Sequence, residues 1–193
     1  KSPSPPFTTS TLQQEASRKL RYSVSRTMLV AQKLYEAGKI TYMRTDSVNL
    51  SDFALGAAEK QIKDEYGKQY FHKRQFKTKS KTAQEAHEAI RPTDFSKETV
   101  AGSKEEKALY ELIWKRSIAS QMSDAQLERT TLKVKVSKAA ELFVAKGEVI
   151  IFDGFLKVYI ESFDEENGEN GDSGILPDIS KGQKLSFTEI LAT

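Results

Sequence analysis

Tyr42 and Arg44 lie two residues apart in a short stretch that could carry nucleophilic chemistry. Ile40, Thr41 and Tyr42 favour an extended backbone, in which alternate side chains point to the same side. A phenol titrates at about pH 10 and is a poor nucleophile unless neighbouring positive charge stabilises its anion. The guanidinium of Arg44 could supply that charge, or could grip a phosphate through two parallel hydrogen bonds.

Thr45, Asp46 and Ser47 follow in the same turn. The ordinary alternative is a strand tyrosine half inside the core, with a solvated arginine beside it. The spacing of these residues alone favours that structural interpretation.

Helices are predicted on both sides of this stretch. One begins at Ser25 and is ended by Gly38, because glycine suits the left-handed position just after a helix. The other runs from about Ser51 to Tyr66 and is ended by Gly67. Gln32 and Glu36 are four residues apart on the polar side of the first of these helices. The positions of the two helices that are expected to face inward recur at helical spacing. They are Met28, Ala31 and Leu34 or Tyr35 in the first helix, and Leu55, Ala58, Ile62 and Tyr66 in the second.

Two further helices open with capping-box patterns. The first is predicted to start at Ser10 with Gln13, and the second at Ser103 with Glu106, running to about Met122. The connection from the first helix to Ser25 is short enough for helix-turn-helix-like packing. The buried positions expected in these helices are Leu12, Ala16 and Leu20, then Leu109, Leu112, Ile113 and Trp114.

A short helix is predicted from Ala83 to Ile90, ended by Arg91-Pro92, and it carries His87. It differs from a zinc-protease helix because Arg91, and not a histidine, stands four residues after His87. A Ser–His–Asp hydrolase is poorly supported, because His72 and His87 are the two histidines and no nucleophile-elbow glycine pattern occurs.

The periodicity changes from helical to alternating near Leu127. The predicted strands are 131–136, 142–146, 149–152, 155–160 and 185–190, with turns at Gly147, Gly154 and Gly182. Residues 161–174 are acidic and glycine-rich and are expected to form a mobile loop. The predicted fold class is therefore α+β, with a helical domain over residues 1–127 and antiparallel β-structure over residues 128–193.

Composition is that of a soluble globular protein, with 38% hydrophobic and 30% charged residues. No apolar run approaches the roughly 20 residues that span a bilayer, and no secretion signal is visible. The absence of cysteine excludes disulfides and thiolate metal sites and fits a reducing compartment. Residues 1–100 carry a net charge of +7 and residues 101–193 a net charge of −4, so the first half could face a polyanion such as DNA.

A basic segment from Lys68 to Lys81 interleaves six Lys and Arg residues with Tyr70, Phe71 and Phe76. Cations and aromatic rings together suit phosphates and stacked bases. The alternative is a surface loop whose aromatic residues pin it to the core, and the sequence supports the two interpretations about equally.

Several phrases together resemble the bacterial type IA DNA topoisomerases, and topoisomerase I more than the topoisomerase III branch, because Met43 follows the tyrosine. The most specific are Leu34 to Gly38 running into Ile40 to Ser47, and Gln84 to Pro92. Pro6 to Gln14 and, more weakly, Phe152 to Phe155 complete the set. Their order and spacing match the family over almost the whole chain.

The resemblance implies that Tyr42 attacks a phosphodiester of single-stranded DNA, forming a 5′-phosphotyrosine and releasing a 3′-hydroxyl. The exchange keeps the bond energy, so no ATP is required. Arg44 would hold the scissile phosphate, with His87 and Thr45 contacting the same region. The positions expected to support the site are Gln32, Glu36, Thr41 and Asp46.

The resemblance also implies features that this sequence lacks. The family carries an N-terminal Mg²⁺-binding domain with an Asp-x-Asp-x-Asp motif, which does not occur here. The chain therefore looks like the tyrosine-bearing domain with part of the arch, without metal ligands, and is expected to be inactive alone. The whole enzyme would be a cytoplasmic, nucleoid-associated monomer acting on DNA and not on membranes. The alternatives are a non-catalytic helix-turn-helix-like DNA-binding module, or a scaffold module without a role on DNA.

Overall fold

The first two helices are joined by three residues. In this computed structural model, residues 1–76, 88–135, 142–160, 173–174, 181–184 and 186 are described. Helix α1 spans Thr9–Leu20 and α2 spans Val24–Glu36, and the turn between them includes Arg21 in the left-handed conformation. The short connection agrees with the predicted helix-turn-helix-like packing.

The predicted start of α1 was wrong by two residues. Thr8, and not Ser10, is the N-cap, and its capping box is completed by the Thr11 hydroxyl, which accepts a hydrogen bond from the Thr8 amide at 2.9 Å. Leu12 and Ala16 are buried as predicted, and Leu20 is partly buried against the core. For α2, Ser23 is the N-cap, two residues before the predicted start at Ser25.

Helix α3 spans Asp52–Glu65 and α4 spans Lys104–Ser120. Ser51 caps α3, and Ser103 caps α4 with Glu106 in the predicted capping box. Helix α4 is the centre of the core and buries Leu109, Ile113 and Trp114. No helix within the described residues is both long and apolar enough to cross a membrane.

The β-structure begins soon after α4. Strand β1 spans Gln126–Lys135 and pairs antiparallel with β2, which spans Leu142–Phe152. Strand β3, Ser173–Gly174, adds a short parallel pairing to β2. The predicted α+β class is confirmed, although two predicted strands in residues 142–152 are one, because Gly147 stays in the ladder opposite Thr130.

Residues 155–160 do not form the predicted strand. Gly154 has a φ of 51° and starts a 3-10 turn, Gly154–Lys157, which returns the chain to the helices. Phe155 and Tyr159 are buried in the helical core. The Tyr159 hydroxyl donates a 2.8 Å hydrogen bond to the Glu15 carboxylate, and burial raises the Tyr159 pKa. The predicted division at residue 127 stays a prediction.

Two other predictions fall partly outside the described residues. The helix expected from Ala83 to Ile90 does not include its last residues, since Glu88 and Ala89 are irregular and Ile90 forms an isolated β-bridge with Phe7. The remainder of that helix lies outside the described residues. So do residues 161–172 of the predicted acidic loop and nearly all of the strand expected over 185–190.

Candidate active site

The stretch from Lys39 to Ser47 presents alternate residues to solvent. Tyr42, Arg44 and Asp46 are exposed, whereas Met43 and Thr45 between them are buried. Tyr42 is 47% exposed, so its phenol can be reached from solvent. Exposed and buried residues thus alternate along 42–47, although the backbone bends at Thr41, Met43 and Arg44 and does not form a strand. That the side chains of Tyr42 and Arg44 point to the same side stays a prediction.

On one flank, Thr9 at the start of α1 holds the backbone around Arg44. Its hydroxyl donates to the carbonyl of Met43 at 2.9 Å and to that of Thr45 at 3.1 Å. The same oxygen accepts the Thr45 amide at 2.9 Å, and the Thr9 amide donates to the Thr45 carbonyl at 2.9 Å. One threonine therefore contacts the peptide groups on both sides of Arg44.

On the other flank, Thr41 pairs with the chain that follows the undescribed segment. Its amide donates to the carbonyl of Arg91 at 2.9 Å. Its hydroxyl donates to the carbonyl of Ala89 at 2.7 Å and accepts the Arg91 amide at 2.9 Å. The residues on either side of Tyr42 and Arg44 are thus fixed by different parts of the chain.

The passage from this stretch into α3 is built from short polar turns. The Thr45 hydroxyl accepts the Ser47 amide at 3.0 Å, and the Ser47 hydroxyl accepts the Asn49 amide at 3.2 Å. Both are local side-chain-to-backbone bonds of the kind that serine and threonine form in turns. These bonds explain why polar Thr45 and Ser47 are buried.

Glu88 and Arg91 join this network beneath the surface. Arg91 is 8% exposed and donates to the Glu88 carboxylate from Nη2 at 2.6 Å and from Nε at 3.3 Å. The Ser51 amide donates to the same carboxylate at 2.7 Å. Burial raises the pKa of the Glu88 carboxyl, but the hydrogen bonds from Arg91 and Ser51 outweigh burial and leave that pKa below its usual value.

An aromatic neighbour fixes the ring of Tyr42. Tyr35, in the last turn of α2, meets it edge-on, with ring centroids 5.2 Å apart and planes at 63°. Edge-to-face packing at this distance is favourable because the positive edge of one ring faces the negative face of the other. The Tyr42 side chain is therefore supported from α2, although nearly half of it reaches solvent.

A shallow depression of about 460 Å³ opens between the start of α1 and the residues that follow Met43. It is lined by Thr9, Ser10, Gln13, Arg44, Thr45 and Asp46. Within the described part of the chain, no hydrogen bond or ion pair engages the guanidinium of Arg44, not even with Asp46 two residues on. Its donors are therefore available to an anionic ligand.

The other predicted site residues are placed less directly. The Gln32 amide donates to the Glu36 carboxylate at 2.9 Å on the exposed face of α2, next to Tyr35. His87 lies outside the described residues.

The described part of the basic segment packs against the body of the protein. Tyr70 is buried, and its hydroxyl donates to Asp153 at 2.7 Å. Arg74 donates to the carbonyl of Met122 and pairs with Asp124 at 2.5 Å. For these two residues the structural interpretation holds, since neither is free to bind a phosphate.

A metal ion has no evident site in this part of the molecule. Residues 1–76, 88–135 and 142–160 contain no group of three or more histidine, aspartate or glutamate side chains that could hold one. The acidic side chains in these residues do not fit a Mg²⁺ site.

Tyr42 and Arg44 are both exposed, and Arg44 has no partner within the described residues, so the two could serve as a nucleophile and a phosphate-binding cation. Comparison with known proteins agrees. The family model described as DNA topoisomerase matches residues 1–193, and the chain belongs to this family. The predicted resemblance to bacterial type IA topoisomerases is confirmed, which favours an enzyme over the non-catalytic DNA-binding module.

The relatives are much longer than this chain. DNA topoisomerase 1 of Zymomonas mobilis is 51% identical over 177 residues, covering 90% of this chain and 14% of the relative. DNA topoisomerase 1 of Mycolicibacterium smegmatis is 48% identical over 204 residues, covering 98% of this chain and 22% of the relative. The structure of full-length topoisomerase I from Thermotoga maritima matches with a TM-score of 0.73 and 38% identity, covering 92% of this chain and 29% of that one.

Sequence reasoning gave no role to three residues that shape the site: Thr9, Tyr35 and Arg91. All three occur in phrases that carry the family resemblance, and for Thr9 and Arg91 this was the one feature of the sequence that could have identified them. Tyr35 was considered as a possible inward position of α2, whereas it is 42% exposed and faces Tyr42.

Proposed function

We propose that this chain carries the nucleophile of a DNA topoisomerase, and that the nucleophile is Tyr42. The observation that carries the proposal is the shared exposure of Tyr42 and Arg44 on a turn whose backbone is held from both flanks. A reactive phenol must be reachable by DNA and yet fixed in direction. Both conditions are met in a chain of the topoisomerase family.

The proposed step is a transesterification. The phenol oxygen of Tyr42 bonds to the phosphorus as the bond from phosphorus to the 3′ oxygen breaks. The phenol loses its proton, and the departing 3′ oxygen gains one, so that a 5′-phosphotyrosine and a 3′-hydroxyl result. Religation is the reverse attack by the 3′-hydroxyl. Because one phosphate ester replaces another, the cycle needs no ATP. In the full-length protein, this cycle of cleavage and religation would relax negatively supercoiled DNA.

Arg44 is proposed to bind the scissile phosphate and to stabilise the charge that develops on it. Its guanidinium is exposed and has no partner within the described residues, so it can donate two parallel hydrogen bonds to phosphate oxygens. Thr45 would contribute at the phosphate, although its side chain is mostly buried. Asp46 lines the same depression and would orient the groups around it.

The remaining residues are proposed in supporting roles. Thr41 holds the backbone before Tyr42, and Gln32 and Glu36 form a polar pair on the helix that carries Tyr35. His87 is proposed to contact the phosphate as a protonated imidazole, on the strength of its sequence phrase alone.

The partners proposed for the whole protein are single-stranded DNA and an N-terminal domain that binds Mg²⁺. When bound there, the ion would help neutralise charge at the transferring phosphate. This chain alone is expected not to relax DNA, and any affinity for DNA should fall steeply with salt because it rests on contacts to phosphates. We expect a monomer acting in the cytoplasm.

The test is the Tyr42→Phe variant of the full-length protein. It should bind single-stranded DNA, fail to relax negatively supercoiled plasmid, and give no covalent adduct with an oligonucleotide labelled on the 3′ side of the cleavage point. Tyr22→Phe is the matched control, because it removes a phenol oxygen that contacts the Glu105 carbonyl at 3.5 Å and not the stretch that carries Tyr42. Relaxation by Tyr42→Phe would refute the proposal.

A further inference from the structure

The position of the Arg44 side chain depends on its backbone. No described side chain or carbonyl bonds to the guanidinium, so among the described residues it is the main chain that directs it. The main chain around Arg44 is hydrogen-bonded to the hydroxyl of Thr9. This hydroxyl contacts the Met43 carbonyl, the Thr45 carbonyl and the Thr45 amide at 2.9–3.1 Å. Among the described residues, Thr9 is thus the single side chain that contacts both peptide groups adjoining Arg44.

Thr9 is itself held in a rigid setting. It is the first residue of α1, directly after the Thr8 capping box. Phe7, two residues before Thr9, is fully buried and forms a β-bridge with Ile90. The Pro5 carbonyl accepts a 2.7 Å hydrogen bond from Arg116 of α4. Thr9 therefore connects the turn that carries Tyr42 and Arg44 to a segment that is anchored in the core.

We propose that Thr9 is a positioning residue for the cleavage reaction, acting through the backbone of Met43 and Thr45 on Arg44 and Tyr42. The inference rests on the proposed function. Without the hydroxyl, two carbonyls and one amide lose a partner at the rim of an open depression where water can replace it. The fold would then persist while the turn relaxes, and misplacement of reacting groups by about 1 Å costs roughly a hundred-fold in rate.

The experiment compares four variants in the full-length protein: Thr9→Val, Thr9→Ala, Thr9→Ser and the control Thr27→Val. Thr27 is buried in α2, and its hydroxyl bonds the Ser23 carbonyl at 3.0 Å, so its replacement removes the same chemistry elsewhere. The readouts are single-turnover cleavage of a single-stranded oligonucleotide, binding of that oligonucleotide, and the melting temperature.

Thr9→Val and Thr9→Ala should slow cleavage by about ten- to a hundred-fold. Oligonucleotide binding should change by less than about three-fold, because the hydroxyl acts on the reaction geometry rather than on binding. Thr9→Ser keeps the hydroxyl and should restore most of the rate. Thr27→Val should cleave normally, even where its melting temperature falls as far as that of Thr9→Val.

The inference is overturned by normal cleavage in both Thr9→Val and Thr9→Ala, by no recovery with Thr9→Ser, or by equal losses of cleavage and binding. A fall in rate that Thr27→Val reproduces would also assign Thr9 a structural role only. Tyr42→Phe, measured alongside, separates the two levels. If that variant cleaves DNA, the proposed function fails; if it is inactive while Thr9→Val is normal, only the inference about Thr9 fails.

Discussion

The rings of Tyr35 and Tyr42 meet edge-on with centroids 5.2 Å apart, so the exposed phenol is braced by the last turn of α2. Ala37 and Gly38 follow directly, and Gly38, with a φ of 67°, lets the chain leave the helix and return alongside it. The helix end and the exposed tyrosine are therefore parts of one local structure.

Replacing Tyr35 should lower activity without abolishing it. Aromatic pairs contribute about 0.5–1.5 kcal/mol beyond buried area, so Tyr35→Ala should slow cleavage by up to about ten-fold. Tyr35→Phe keeps the ring and should remain close to the unaltered protein. Single-turnover cleavage of an oligonucleotide by the full-length protein measures both. Equal losses in the two variants would show that the hydroxyl, and not the ring contact, is what matters.

Arg44 should not tolerate even a conservative change. Arg44→Ala removes the donors aimed at the phosphate and should reduce cleavage by about a hundred- to a thousand-fold, the usual cost of losing one transition-state donor. Arg44→Lys keeps the charge but not the planar fork, and should recover only part of the loss. Plasmid relaxation and adduct formation give the comparison. Full activity of Arg44→Ala would remove Arg44 from the site.

The local features of the fold were predictable from sequence because they depend on near neighbours. Gly38 ends α2, and Ser103 with Glu106 caps α4, since each needs only residues within one turn. The start of α1 was misplaced because Thr8, Ser10 and Thr11 are all good cap residues, and the choice between them depends on contacts elsewhere. Thr9 binds Thr45, 36 residues away, and this favours a helix that begins at Thr9.

The errors after β1 have a similar origin. Residues 155–160 are apolar enough for a strand, but Phe155 and Tyr159 are four residues apart and pack into the helical core. Gly147 was expected to be a turn, but a glycine can remain in a ladder when a partner strand, here at Thr130, supplies the pairing. In both cases the deciding partner is distant in sequence.

The candidate site divides in the same way. The common exposure of Tyr42 and Arg44 agrees with the alternation predicted from their spacing, although the backbone between them bends. The partners that fix this stretch, Thr9, Tyr35 and Arg91, reach it from three separate parts of the chain. No periodicity within residues 39–47 could have identified them.

Gly154 should be essential for joining the β-structure to the helices. Its φ is 51°, and a Cβ there would lie 2.5 Å from the Ser123 carbonyl oxygen and 2.6 Å from that of Asp124, both backbone atoms. Gly154→Ala should therefore lower the free energy of unfolding by about 3 kcal/mol or more. Gly38→Ala is the matched control, because Gly38 also has positive φ but no atom within 4 Å of a Cβ. It should cost about 1 kcal/mol. Equal losses in urea unfolding would show that the contact at Ser123 yields easily.

The Glu88 carboxylate should stabilise the fold at neutral pH and lose that effect in acid. Its pKa is lowered in the folded chain, since hydrogen bonds from Arg91 and Ser51 outweigh burial. The unfolded chain therefore takes up the proton first as pH falls below the ordinary glutamate value of about 4.5. The contribution is fully present above that value, and is lost as pH falls through the folded pKa.

The measurement is urea unfolding of the unaltered chain and Glu88→Gln between about pH 3 and pH 7. Glu88→Gln should be less stable at pH 7, and the difference should narrow towards pH 3. Glu106→Gln is a useful comparison, because Glu106 accepts the Ser103 amide at the start of α4 without an arginine partner. A difference between Glu88→Gln and the unaltered chain that is constant over this range would mean that the Glu88–Arg91 pair does not hold the carboxylate ionised.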